Sequence, residues 1–285
     1  MTDARYHAPE GLDRALALLD QWRHDALIVA GGTEAVPRTG YGPRHILDIS
    51  GIAELRQLHA EGPERLRIGA LVTCTMLATS ELVHKRMPVL AHSALSVGGP
   101  QIRNLATIGG NVASRSPRSD LLPALLVLDA VVTLSRHGGS RRLRISEFLA
   151  EGSRDNELIT LMDCAGGGGA AMQRLSMRRA LAPAIASAAV LLHLNATRKG
   201  WSQVRIALGG VAPRVMRAHK AEAVLTHVPP FGSEFAQGVR RAGDAAREEA
   251  NPVSDVWATS WYRRHVIGVL TQRALLQAAK AADAA

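Results

Sequence analysis

Residues 98–129, GGPQIRNLATIGGNVASRSPRSDLLPALLVLD, constrain this chain of 285 residues more than any other stretch. Two adjacent glycines, Gly109 and Gly110, sit among short hydroxyl and amide side chains: Thr107, Asn111, Ser114, Ser116 and Ser119. Glycine lets a backbone come close to a ligand and reach positive φ, so that successive N–H groups can converge on an anion. Phosphate is the first candidate. The small polar side chains add donors and acceptors without filling the space a ligand needs. Asp120 closes the loop with an acceptor-only carboxylate suited to a ribose diol or an exocyclic amine, and the apolar run LLPALLVL behind it reads as an anchoring helix. The plainer alternative is a Gly/Asn turn between two core elements, and on GGN alone that alternative is the stronger.

A second glycine stretch shifts the balance towards a ligand. The short apolar run Ala26-Leu27-Ile28-Val29-Ala30 ends at Gly31-Gly32-Thr33-Glu34, as a buried strand does when it finishes in a binding loop. It lacks the spaced third glycine and the following helix of a Rossmann fingerprint, so a doubly wound nicotinamide site is not expected.

Composition narrows the classes further. At 47% hydrophobic content the chain can fill two or three compact lobes. No apolar leader opens it, and its longest apolar runs are broken by Pro123, Asp129, Pro183 and His193, so neither a signal peptide nor a membrane span is expected. Two cysteines, Cys74 and Cys164, are too few for a disulfide framework. An iron–sulfur cluster needs about four thiolates, which places any one-electron relay in another chain. The net charge of +9 comes from scattered arginines with 4% aromatic residues, which argues against a nucleic-acid surface.

Periodicity supplies the elements. A helix is expected over residues 11–21, with strands over 26–30, 45–50 and 66–70. Thr75 reads as the N-cap of a helix running through Val83, and residues 87–97 suit another helix with Pro88 in its first turn. VVTLS and RRLRI flank HGGS as a hairpin, ELITLMD (157–163) forms a strand and GGGG (166–169) a flexible turn. WSQVRIALGGVAP supplies a further strand whose Gly209-Gly210 is a structural turn, and residues 219–226, 234–248 and 256–281 read as helices.

VAGGTEAVP (29–37), RIGALVTCTML (67–77), QIRNLATIGGNVASRSPRSDLLPALLVLDA (101–130), RIALGGVAPRVMRA (205–218) and WYRRHVIGVLTQRAL (261–275) resemble, in order, the FAD-binding subunit of molybdenum hydroxylases. That family includes xanthine dehydrogenase, aldehyde oxidase and carbon monoxide dehydrogenase. The resemblance implies an α+β fold: a small N-terminal α/β lobe (1–50) and a middle α+β lobe (51–174) forming a PCMH-type FAD-binding domain, then a C-terminal lobe (175–285) of antiparallel sheet and helices. It implies FAD contacts from Ile28, Val29, Ala30, Gly31, Gly32, Thr33, Glu34 and Ala35, and from Thr107, Gly110, Asn111, Ser114, Ser116 and Asp120. Ile68 is implied beside the adenine, Ile159 against the FAD and Arg174 near the flavin. For Ile68 and Ile159 a plain core role stays open, and for Glu34 that of a solvated loop acid. Asp120 has its own alternative, capping the helix that follows it. The run SMRRALAPAIASAAVLL departs from the family pattern at Ala182 and Pro183. By this resemblance the chain is a cytoplasmic electron-transfer subunit. It takes electrons from an iron–sulfur subunit and passes them to an external acceptor, while a large molybdopterin-binding subunit carries the substrate chemistry, the whole being a dimer of heterotrimers. The alternatives are a stand-alone FAD oxidase and a non-catalytic phosphate-binding module.

Overall fold

The computed structural model describes residues 4–35, 44–178 and 181–284. Val36 and Pro37, which end the first glycine stretch, lie outside these residues, as do Arg179 and Ala180 of the divergent run.

The first lobe holds β1 (Arg5–His7), α1 (Leu12–Trp22), β2 (Ala26–Val29) and β3 (His45–Asp48), with the strands parallel in the order β1-β3-β2. Helix α1 carries the chain from β1 to β2 on the far side of β3, the kind of crossover that parallel strands require. Its apolar face buries Ala15, Leu16, Leu18 and Leu19 against Leu47 and Ile49. Trp22 sits beside that face, with its ring stacked 4.2 Å from His45. The lobe's core reaches past residue 50 through Ile52 and Leu55 and takes in Leu71 and Leu158 from further along the chain.

The middle lobe is built from β4 (Leu58–Ala60), β5 (Arg65–Gly69), α2 (Cys74–Thr79), α3 (Glu81–Arg86), α4 (Pro88–Leu95), α5 (Pro100–Leu105), α6 (Ile108–Ser114), α7 (Leu121–Val127), β6 (Val131–Arg136), β7 (Gly139–Arg144), α8 (Ile145–Glu151) and β8 (Leu158–Ala165). Its antiparallel sheet runs β4-β5-β8-β6-β7, and HGGS makes the β6–β7 turn with Gly138 at φ 79°. The single helix expected behind Thr75 is instead two. Thr73 caps α2 by accepting the Met76 N–H at 3.2 Å, and Ser80, with extended ψ of 119°, breaks the helix and caps α3 through the Val83 N–H. The Thr75 hydroxyl donates to Asn104 Oδ1 at 2.6 Å.

The C-terminal lobe packs β9 (Gly169–Ser176), β10 (Ala184–Leu194), β11 (Trp201–Gly209) and β12 (Met216–Arg217) as an antiparallel sheet against α9 (His219–Thr226), α10 (Gly232–Glu249) and α11 (Ser260–Ala284). Helix α11 starts later than residue 256. Asp255 Oδ1 first draws in the N–H groups of Trp257 and Ala258, and Thr259 Oγ1 then takes that of Tyr262. Because Ala184 through Leu192 pair along the whole of β9, a boundary at residue 174 would cut a strand. We propose that the lobes divide at Gly166–Gly168, where Gly167 and Gly168 take φ of 94° and 65°. The α+β architecture is the expected one. The Gly209-Gly210 turn, however, is no isolated feature of the last lobe: the Gly210 N–H donates to Pro117 O at 2.6 Å, fastening that lobe to the SPRSD loop.

Candidate functional site

A cleft of about 310 Å³ lies between the first two lobes. Strand β2 ends at Val29, whose carbonyl accepts the Ile49 N–H at 2.8 Å, and the chain then leaves the sheet to run Ala30 to Ala35 along one lip. Ile28 and Ile49 from the first lobe and Ala70, Leu71, Leu158 and Ile159 from the second supply apolar surface. Thr107, Gly110, Asn111 and Ser114 on and before α6 supply the polar part of the facing wall.

The two glycine stretches behave differently. Gly31 is where the lobes touch: a Cβ there would fall 1.7 Å from the carbonyl oxygen of Leu105. Gly32 takes φ of 72°, which turns the chain and is open to few residues but glycine. Among the described residues, no hydrogen bond is donated by the backbone N–H groups of Gly31, Gly32 or Thr33. Polar groups of this kind call for a partner, and an anion is the natural one.

The anion nest expected at Gly109 and Gly110 does not form. Neither residue has positive φ, and both belong to α6. The Gly109 N–H donates to Ala70 O at 2.9 Å, that of Gly110 to Thr107 Oγ1 at 3.1 Å and that of Asn111 to Thr107 O at 2.9 Å. Thr107 is the N-cap of this helix and takes up the donors that an anion would have used. Gly109 is a packing residue instead, since a Cβ would meet Ala70 Cβ at 2.7 Å.

Twelve of the expected contacts line the cleft: Ile28, Ala30, Gly31, Gly32, Thr33, Glu34, Ala35, Thr107, Gly110, Asn111, Ser114 and Ile159. Val29, Ile68, Ser116, Asp120 and Arg174 do not. Ile68 is fully buried in the core of the middle lobe, because its place on β5 turns it inwards. Ser116 shapes the loop, its Oγ accepting the Arg118 N–H at 3.3 Å. Ser119 caps α7 through the N–H groups of Leu121 and Leu122, at 3.2 and 3.1 Å, so the capping role considered for Asp120 belongs to its neighbour. Asp120 is buried with Oδ1 2.9 Å from Arg174 Nε, and burial lifts its pKa to about 7 against the pull of that guanidinium. Arg174 also donates to Ala182 O at 2.7 Å, so the pair joins α7 to the C-terminal sheet behind the cleft.

Sequence reasoning missed Leu71, Ile102, Ser153, Glu157 and Leu158, all of which line the site. The one available signal was Glu157, an acid at the head of an apolar strand, and its meaning depends on Arg141, sixteen positions earlier.

A cleft with an apolar lining, and with backbone N–H groups on one lip that have no partner among the described residues, suits a ligand that is part apolar ring and part anion, as a dinucleotide is. Residues 2–162 match the family described as FAD binding domain in molybdopterin dehydrogenase, and residues 171–278 match the CO dehydrogenase flavoprotein C-terminal domain. The chain belongs to this family of FAD-binding molybdopterin dehydrogenase subunits. It is 32% identical to the carbon monoxide dehydrogenase medium chain of Hydrogenophaga pseudoflava, over 95% of each chain. It is 30% identical to subunit alpha of the 6-hydroxypseudooxynicotine dehydrogenase complex of Paenarthrobacter nicotinovorans, over 96% of this chain and 93% of that one. A solved structure of the Hydrogenophaga pseudoflava carbon monoxide dehydrogenase, lacking the Mo-pyranopterin moiety, superposes with a TM-score of 0.91 at 31% identity over 98% of each chain.

Proposed function

We propose that this chain is the flavin-carrying subunit of a multi-subunit molybdenum hydroxylase, receiving electrons from an iron–sulfur subunit and handing them to an external acceptor, within a dimer of heterotrimers. The observation that carries the reading is the lip of the cleft, where Gly31, Gly32 and Thr33 present three backbone donors beside an apolar floor. These donors fit a pyrophosphate, and Asn111 and Ser114 face them from the other lobe. Ile28, Leu71 and Ile159 suit an aromatic ring system, which they would hold and shield from water. Asp120, Arg174 and Ser116 serve in this reading as the frame of the loop. FAD, when bound, supplies the ability to exchange electrons singly or in pairs, and the protein supplies binding and orientation. The named relatives act on carbon monoxide and on 6-hydroxypseudooxynicotine, yet both align with this chain along almost all its length. Choice of substrate therefore belongs to another subunit.

The test is composition and company. The purified chain should take up one FAD, released intact by acid, and in its native host it should co-purify with an iron–sulfur protein and a larger molybdopterin protein. Failure to bind FAD would overturn the site. Turnover of substrate by this chain alone would favour a stand-alone oxidase.

A further inference from the structure

One short turn links three of the parts that surround the cleft. Ser153 and Glu157 of the turn 152–157 line it, and Leu158 and Ile159 follow directly as the first residues of β8. Asn156 Nδ2 donates to Asp20 Oδ1 on α1 at 2.8 Å, and the Leu158 side chain is part of the N-terminal core. Gly152, at φ 80°, lies against the guanidinium of Arg115, the residue that ends α6, so closely that a Cβ would fall 2.9 Å from Nη1. The turn thus joins the first lobe, the end of α6 and the strand that walls the site.

What holds the turn in shape is a buried carboxylate. Glu157 is 3% exposed, with Oε1 receiving Arg141 Nε at 2.7 Å and Oε2 receiving Arg141 Nη2 at 2.9 Å and the Arg154 N–H at 2.8 Å. Arg141 stands on the edge strand β7 and also reaches Glu151 Oε2 at 3.1 Å. A two-pronged guanidinium–carboxylate contact fixes direction as well as distance. A carboxylate stripped of water is tolerated only with such partners. Here they hold its pKa below the usual value although burial pushes the other way. Both oxygens are engaged within the protein, so the carboxylate's direction is set by Arg141 and the Arg154 N–H.

We infer that Glu157 is a positioning residue for the cofactor: by fastening the turn 152–157 to Arg141 it sets where Leu158 and Ile159 stand and how far the first lobe can move from the second. The inference rests on the cleft being the flavin site. It is tested on the full chain stripped of flavin, using FAD itself as the probe, with Glu157→Gln, Arg141→Met, their double variant and Asn156→Ala. Breaking a hydrogen bond to a charged group should weaken FAD about tenfold in either single variant of the pair, and the double should also lose about tenfold, since the two act as a unit. Asn156→Ala leaves the buried pair intact and should cost about threefold. Hydrogen exchange of the flavin-free chain should quicken at residues 152–160 and in β2, and stay unchanged in β10. Unaltered FAD affinity in the variants, a hundredfold loss in the double, or faster exchange throughout the chain would overturn the inference. If the unmodified chain takes up no FAD, the flavin reading falls. Exchange then decides the tie between lobes: faster exchange confined to residues 152–160 and β2 upholds it, and exchange unchanged there removes it.

Discussion

At the scale of single residues, Gly31 and Gly110 make opposite demands. Gly31 has no room for a side chain, because a Cβ would sit 1.7 Å from a backbone carbonyl that cannot swing away. Gly31→Ala should therefore push the lobes apart, costing about 1–3 kcal/mol as overpacking does and weakening FAD along with the melting temperature. At Gly110 the nearest obstacle is Thr107 Oγ1 at 3.1 Å, and the position is helical. Gly110→Ala gains up to about 1 kcal/mol of helix propensity to set against that tight contact, and should leave thermal stability nearly unchanged. Paired melting curves and FAD titrations check both. The contrast was not legible in the sequence, where GG precedes a small polar residue both times. What separates the stretches is the backbone each glycine meets, and that depends on a partner far along the chain.

Among the elements, those the sequence made legible are the ones with a local signal: α1 from its apolar face, the β6–β7 hairpin from HGGS, and α7 from a continuous apolar run, all of whose residues are buried. What escaped was the choice among neighbouring capping side chains. Thr73 and Thr75 are equally good caps in isolation, as are Ser119 and Asp120, and the fold assigns the role by which backbone N–H groups lie in reach. Ser119→Ala should cost about 1 kcal/mol, while Ser119→Thr, which keeps the hydroxyl, should recover most of it. Thermal unfolding measures this, and an equal loss in both variants would show that packing rather than capping is at stake. The cleft was half legible for a related reason. Its glycine loops are local signals, whereas Leu71, Ser153 and Glu157 enter the wall only through tertiary packing.

For the whole molecule, each lobe carries a paired carboxylate held below its ordinary pKa: Asp48 by hydrogen bonds from Tyr6 and Ser50, Glu157 by Arg141 and the Arg154 N–H, and Asp255 by Arg263 and the N–H groups of Trp257 and Ala258. Burial opposes the shift in all three. Since the folded values are depressed, the stability they contribute is complete above the unfolded values of 3.8 for Asp and 4.5 for Glu and is lost as pH falls through the lower folded values. As far as these three groups determine it, the melting temperature should fall steeply below pH 4. A melting temperature that rises on acidification below pH 4 would contradict it. The seam between the last two lobes matters for another kind of change. Leu191, Ala207 and Val215 complete the core around α7, and Pro117 O has the Gly210 N–H as its donor. A chain cut at Gly166–Gly168 would leave its first half with a greasy open flank and a bare carbonyl in the SPRSD loop. The two segments thus resist being recombined as interchangeable modules: a graft of a foreign C-terminal half succeeds only if it brings its own match for that flank.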